Sequence, residues 1–457
     1  MFIIISDLHL VDGSSGKSIT SGAFKLFADR VTELATSASW RSNGRYIPIE
    51  SIDILLLGDI LDPLHSTLWF KTSTTHPEQV RPWSDSSTPA YSAKLAEITK
   101  SILKHNEASL KILRYLSEGR IVRLPPADQR GRMVKDSEER IPVPVRIHYM
   151  VGNHDWYYHL PGQQYNNIRA EIVSTFGLSN PITPFPHEVE ESKDLQKLFS
   201  RYKLYAQHGD MYDPLNFDPD LGRDHATIGD AFTMELVNRF PVELDQQLGD
   251  KINPNFLESL HDLYNVRPTL VAPLWISSQL RQNNVPEKEQ KKIKEIWDDI
   301  GRDFLKLDIV CAADERFKFD AADAMQLLIN LTSRTSFKTI DDIVFWAREK
   351  LWTGNVTFSE YALKESAFLD RTAQFIVYGH THRHEIVPLD SHPAFRKEAT
   401  NQVYINSGTW HNYYDLAVFK PREQKFIPYQ VLTYLAFFKD GQRGGRRFET
   451  WSGSFSE

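Results

Sequence analysis

Five short motifs hold residues able to bind a metal or move a proton. They are Ser6-Asp7-Leu8-His9, Gly58-Asp59-Ile60-Leu61-Asp62, Gly152-Asn153-His154-Asp155, His208-Gly209-Asp210 and Gly379-His380-Thr381-His382. Imidazole nitrogen with carboxylate or amide oxygen, and no thiolate, suits borderline divalent metals such as manganese, iron, cobalt, nickel or zinc. Asp7, His9, Asp59, Asn153, His208, His380 and His382 are too many ligands for one zinc. They are about right for two ions sharing a bridging carboxylate. His154 adjoins a ligand without needing to be one. An Asp-x-His pair is expected to direct both side chains to one side of an extended segment, because strand side chains alternate. Glycines before Asp59, Asn153 and His380 permit tight turns.

Each motif follows a short β-rich apolar run. The runs are Phe2–Ile5, Ile52–Leu57, Arg146–Val151, Tyr202–Ala206, Gln374–Tyr378, Val403–Ile405 and Leu416–Phe419. Runs that are apolar throughout predict strands buried on both faces. Helical segments at Ala23–Ala38 and Tyr91–Leu116 lie between the first ones, the spacing of an α/β fold. In open α/β sheets the carboxyl ends of strands gather into one crevice, so distant motifs can meet there.

Residues 214–369 read differently. Ile293, Ile296, Trp297, Ile300, Phe304 and Leu307 fall on one face of a helix opened by Pro286, and Asp323–Leu331, Ile340–Leu351 and Phe358–Leu369 look similar. The expected organisation is a core over 1–213 and 370–440, a helical insertion over 214–369 and a loosely ordered tail over 441–457. Residues 65–90 and 125–145 read as irregular surface segments.

Composition narrows the class. The 457 residues include one cysteine, Cys311, which excludes a disulfide framework, a thiolate zinc site and an iron–sulfur cluster. No apolar run approaches a membrane span, and Met1–Ile5 meets Asp7 too soon for a signal peptide. A cytoplasmic protein is the expectation. The formal charge of −7 argues against nucleic-acid binding through bulk charge.

The sequence carries its own decoys. Asp390-Ser391-His392 also fits Asp-x-His, but no strand run leads into it, and Gly-Asp recurs at 209, 229 and 249. Of sixteen histidines, those outside the motifs, including His65, His159 and His187, read as ordinary surface or core residues. His384 and His411 are closer to the motifs, and Asn406 and His411 follow a strand that could line the site. Asp62, Asp155 and Asp210 are placed to orient histidines through their second nitrogen, or to form turns. Tyr212, Asn216 and Phe217 stand at the entrance of the insertion as candidate substrate contacts. Arg443, Arg446 and Arg447 could touch phosphate, or belong to a polar tail.

In order and spacing the five motifs resemble the calcineurin-like metallophosphoesterase superfamily, whose signature runs D-x-H, G-D-x-x-D, G-N-H-D/E, H and G-H-x-H. The likeness covers about 1–213 and 370–420. It implies a four-layer α/β/β/α sandwich with a dinuclear metal centre, manganese first and iron, zinc, nickel or cobalt as alternatives. It implies Asp7, His9 and His382 on one ion, Asn153, His208 and His380 on the other, and Asp59 bridging. His154 would be the acid near the leaving group. Leu10 after His9 and Pro63 after Asp62 depart from the phosphoprotein phosphatases. Ser-Asp-Leu-His-Leu looks more like bacterial members such as the UDP-diacylglucosamine pyrophosphohydrolases, whereas the long insertion and His154 do not.

The expected chemistry is attack of metal-bound hydroxide on a phosphomonoester, phosphodiester or pyrophosphate. The expected substrate is a phosphorylated small molecule or a lipid-linked one. A nuclease of the Mre11 type and a catalytically silent metal-binding scaffold are the alternatives. The insertion is expected to cap the site, or else to form an oligomer interface or pack on the flank.

Overall fold

A computed structural model describes residues 1–72, 79–267, 272–316, 357–391, 401–416 and 425–454. The protein is mixed α/β, with parallel and antiparallel strands. The strands are β1 (Phe2–Ile5), β2 (Ile52–Leu57), β3 (Arg123–Leu124), β4 (Ile141–Pro142), β5 (Val145–Met150), β6 (Leu204–Ala206), β7 (Val266–Arg267), β8 (Phe375–Tyr378), β9 (His384–Ser391), β10 (Asn401–Ser407), β11 (Asn412–Leu416), β12 (Phe426–Phe437) and β13 (Phe448–Ser454). The larger sheet runs β5-β2-β1-β12-β11-β7, with β13 also on β12, and the smaller runs β6-β8-β10-β9. β1, β2 and β5 are mutually parallel, as are β6, β8 and β10.

The period-two alternation of strand side chains, with both faces covered, explains why these runs are largely apolar at odd and even positions alike. Phe2, Ile4, Leu55 and Leu57 share one apolar cluster with Ala206, Phe375, Val377 and Ile405 of the smaller sheet. Ile3, Ile5, Ile54 and Leu56 face the other way. They join Phe24, Phe27 and Val31 of α1 (Ser21–Ala38) and Ile98 and Ile102 of α2 (Pro89–His105). Ile376, Tyr378 and Tyr404 of the smaller sheet pack with Ala362, Phe358 and Tyr361.

Tyr91–Leu116 is not one helix but α2 and α3 (Glu107–Ser117), broken at Asn106. The Asn106 amide donates to the carbonyls of Val11 and Ile102, a tertiary contact that local periodicity does not record. Further on, a helix over Glu287–Phe304 buries Ile293, Ile296, Trp297, Ile300 and Phe304 in a separate cluster with Phe232, Phe240 and Trp275. β7, from the same region, pairs with β11 at the edge of the larger sheet. The expected helices at Asp323–Leu331 and Ile340–Leu351 lie outside the described residues, as do 417–419 of the run begun at Leu416. The expected loose tail is corrected: Phe448–Ser454 is a strand on β12, its Phe448 against Phe375 and its Trp451 stacked on Tyr434. Arg443 and Arg446 are engaged by Glu449.

Candidate metal centre

All five motifs leave the carboxyl ends of strands that finish level. Ile5 pairs with Leu56, Leu57 with Met150, and Ala206 with Val377. Both sheets therefore deliver their motifs to one edge. Beyond the strands the backbone turns sharply. Asp7, His9, Asp59, His380 and His382 have φ of 53°, 43°, 54°, 66° and 61°. Side chains rarely adopt this left-handed region, at about 1–3 kcal/mol each, and such strain concentrates at functional sites. The Asp-x-His pair is thus not the extended segment expected from sequence. Its shape comes from bonds to the neighbouring loop, Asp7 N–H to the Gly58 carbonyl (3.1 Å) and His9 N–H to that of Asp59 (2.9 Å).

The glycines serve close approach as much as turning. Gly58 has φ of +79°. Gly152 and Gly379 do not need positive φ. A Cβ on Gly152 would stand 2.4 Å from Asp59 Oδ1, and one on Gly379 would stand 2.8 Å from Asp7 Oδ2.

The seven expected ligands converge in two groups. In the first, His9 Nε2 lies 2.9 Å from His382 Nε2, and Asp7 Oδ1 lies 3.4 Å from His382 Nε2 and 4.0 Å from His9 Nε2. In the second, His208 Nε2 lies 3.1 Å from Asp59 Oδ2, and His380 Nδ1 lies 2.9 Å from Asn153 Oδ1. Asp59 stands between them, its Oδ2 3.7 Å from His9 Nε2. Ligand atoms each about 2.1 Å from one ion sit about 3.0–3.5 Å from one another, so the shorter of these spacings are close to those a shared cation imposes, and the 3.7 and 4.0 Å ones are somewhat wider. The donors are also prepared. His208 Nδ1 donates to the Leu57 carbonyl at 2.9 Å, which can only accept, so Nε2 is the nitrogen turned toward Asp59. That buried Nε2 makes no well-formed hydrogen bond. His9 Nδ1 donates to Asp62 (2.8 Å) and His380 Nε2 to Asp213 (3.0 Å), leaving the opposite nitrogens for the centre. The residues fit a pair of cations.

Charge is concentrated here. Burial and the neighbouring Asp59 push the Asp7 carboxyl up. Burial also opposes ionised Asp59, but His208 and His154 hold it far below the usual carboxylate range. His154 is raised to about 9, because Asp62 and Asp59 outweigh the cost of burying its charge. Its Nδ1 lies 3.2 Å from Asp62 Oδ2, and its backbone N–H donates to Asp59 Oδ1 at 2.9 Å.

The three candidate supporting aspartates divide. Asp62 is the hub, meeting His9, His154 and two residues not singled out from sequence, His65 Nδ1 (2.9 Å) and the Tyr264 hydroxyl (2.9 Å). Asp155 instead holds the turn, accepting from Ile60 N–H, Gly152 N–H and the Tyr149 hydroxyl. Asp210 pairs with Arg223 at 2.6 Å. Asp213, also unforeseen, orients His380. The one local signal was the Asp62-x-x-His65 spacing, which returns the His65 ring to Asp62.

The candidate substrate contacts have other tasks. Asn406 is fully buried and braces the turn, donating to the Gly379 carbonyl (2.7 Å) and accepting from Gly408 N–H (3.0 Å). Tyr212 donates to Glu365 and stacks on Tyr361. His411 is buried against Asn265, its ring 5.7 Å from that of His9. His384 faces the Asn406 carbonyl. Asn216 accepts from the Asn153 amide at 3.3 Å. A cavity of about 510 Å³ opens beyond, lined by Pro214 and Phe217 together with Trp83 and Trp156. One loop thus alternates between the expected ligands, which Asp213 and Asn216 touch, and the cavity, which Pro214 and Phe217 line. Among the described residues no helix is long and apolar enough to cross a membrane. No family model and no curated protein matches the chain.

Proposed function

We propose that this protein is a phosphoric ester hydrolase that works with two divalent cations, on the four-layer α/β/β/α sandwich of the calcineurin-like metallophosphoesterases. The observation that carries this reading is the convergence of Asp7, His9, Asp59, Asn153, His208, His380 and His382 from five strand ends, with donor nitrogens already oriented. Asp7, His9 and His382 would hold one ion and Asn153, His208 and His380 the other, with Asp59 between. Bound there, the cations would activate water and neutralise phosphoryl oxygens.

The chain itself supplies the rest. His154 stands beside the ligands with Nδ1 3.2 Å from Asp62 Oδ2, an ion-pair contact that would leave Nε2 as the nitrogen to protonate a leaving oxygen. Asp62 favours the protonated His154 ring and at the same time fixes the His9 ring, so one carboxylate would couple binding to proton delivery. Tyr264 brings the region after residue 214 against this hub, which supports its role as a cap over the site. The cavity beside Trp156 and Phe217 suits a small organic group of a phosphorylated small molecule or lipid headgroup.

The test is a panel of a phosphomonoester, a phosphodiester and a nucleotide pyrophosphate with manganese-loaded protein. His154→Gln should retain metal while lowering turnover by roughly 10²–10⁴. The loss should shrink on nitrophenyl esters, whose leaving group departs unprotonated. No turnover of any ester by metal-replete protein would sink the proposal.

A further inference from the structure

We propose that His159, His187 and Asp224 form a third cation site, distinct from the two-ion cluster. It takes one first-row divalent ion, with zinc best suited to two imidazoles and a carboxylate.

The three residues come from separate segments. His159 follows the short 3₁₀ turn Trp156–Tyr158, His187 precedes another at Val189–Glu191, and Asp224 lies in the loop before the helix at Ile228–Phe232. His159 Nδ1 lies 2.8 Å and His187 Nε2 3.0 Å from the same oxygen, Asp224 Oδ1, and the two rings are 4.5 Å apart. Three donors therefore meet at a point. Nitrogen–oxygen separations of this size correspond to bond angles near 90° at an ion about 2.1 Å from each atom, so a tetrahedral zinc would spread them to about 3.4 Å. Behind them, Glu191 Oε2 accepts from the His187 backbone N–H (2.8 Å) and lies 3.6 Å from His159 Nε2. A carboxylate behind the far nitrogen is the usual way a ligating imidazole is oriented. The nearby Arg223 guanidinium is engaged with Asp210 at 2.6 Å and lies 4.0 Å from Glu188. The His187 side chain is 4% exposed, but His159 is 23% and Asp224 33% exposed, which leaves an entry path and room for water ligands.

The consequence is mechanical. The loop ending at Asp224 also carries Asp213 against His380 and Asn216 against Asn153. An ion on Asp224 would staple that loop to the core segments bearing His159 and His187, steadying residues that border the main cluster. Without an ion the same atoms form a His–Asp–His hydrogen-bond chain, and ion counting separates the two.

The full-length protein is stripped with a chelator, reloaded with Zn²⁺, freed of excess, and its zinc counted per chain by plasma mass spectrometry. Three ions are expected for the wild type. Asp224→Asn, which preserves shape, and His159→Asn, at a partly exposed position, should each lose one. Cooperative melting of the metal-free variants, followed by circular dichroism, checks that each still folds. Asp59→Asn serves as the reference for the main cluster. A zinc count unchanged in both Asp224→Asn and His159→Asn overturns the third site. A single wild-type ion that Asp224→Asn removes and Asp59→Asn does not would uphold the third site and overturn the two-ion reading. Two ions indifferent to Asp224→Asn would do the reverse.

Discussion

His9 Nε2 and His382 Nε2 face each other at 2.9 Å although 373 residues separate them in sequence. Two lone pairs at that distance repel, so a proton or a cation must lie between them. The His9 ring cannot turn away, because its Nδ1 is held by Asp62. Divalent ions should therefore stabilise the fold. A ligand at about 100 times its Kd adds about 2.7 kcal/mol. Chelation should lower the melting midpoint by several degrees, and manganese should restore it, as read by scanning fluorimetry. A midpoint indifferent to both treatments would show that these nitrogens share only a proton.

Asp213 meets the centre directly at His380 Nε2, at 3.0 Å, and through Asn216, whose amide donates to it at 2.9 Å and accepts from Asn153. Asp213→Asn keeps the shape but weakens the acceptor that fixes the ring. Loss of such a partner lowers metal affinity about 10–100-fold. Calorimetric titration with Mn²⁺ should show this drop with little change in the melting of the metal-free protein. Unaltered affinity would mean that the turn around Gly379 alone fixes His380.

Gly152→Ala is ordinarily a mild change at a residue without positive φ. Here the new Cβ would lie 2.4 Å from Asp59 Oδ1 and 2.6 Å from the His208 ring. Overpacking of this kind costs about 1–3 kcal/mol. Both displaced groups are proposed ligands, so metal binding should fall further than stability. Denaturant titrations with and without Mn²⁺ separate the two effects. A variant with full metal-dependent stabilisation would show that Asp59 has room to move.

What could be read from sequence was local. The runs leading to Asp7, Asp59, Asn153, His208 and His380 are largely apolar on both faces because both are covered, and each stops abruptly at its motif. What could not be read was tertiary. β12 antiparallels β1 from more than 400 positions away, as Phe2 opposite Phe437 illustrates, and nothing local marks that partner. Asp213 and Tyr264 lie in no motif and matter only through what they touch. His65 resembled any other histidine until the turn after Asp62 brought its ring back. The strain at Asp7 and His9 was equally hidden, since Asp-x-His reads as plain strand until its neighbouring loop bends it.

The last prediction lies at the opposite end of β2 from Asp59. Asp53 is buried, and Arg146 of the adjacent β5 grips it through two bonds, 2.7 and 3.1 Å, with His148 Nε2 at 3.5 Å. Burial opposes the carboxylate, but His148 and Arg146 prevail and hold its pKa below the ordinary value. A depressed folded pKa means the contribution to stability is full above the unfolded value, about 3.9, and is lost as pH falls from there through the folded one. Arg146→Ala leaves a buried carboxylate short of donors, at a cost of about 1–3 kcal/mol at neutral pH. Its Asp53 pKa should rise toward the unfolded value, so acid should remove less stability from the variant than from the wild type, and the gap between the two should narrow as pH falls. Asp53→Asn in the Arg146→Ala background should recover part of the loss by removing the unpaired charge. Urea unfolding from pH 3 to 7 checks this. If wild type and Arg146→Ala lose stability in parallel across that range, water satisfies Asp53 as well as Arg146 does. Because the pair sits at the far end of the strand from the motifs, metal content should stay unchanged in both variants.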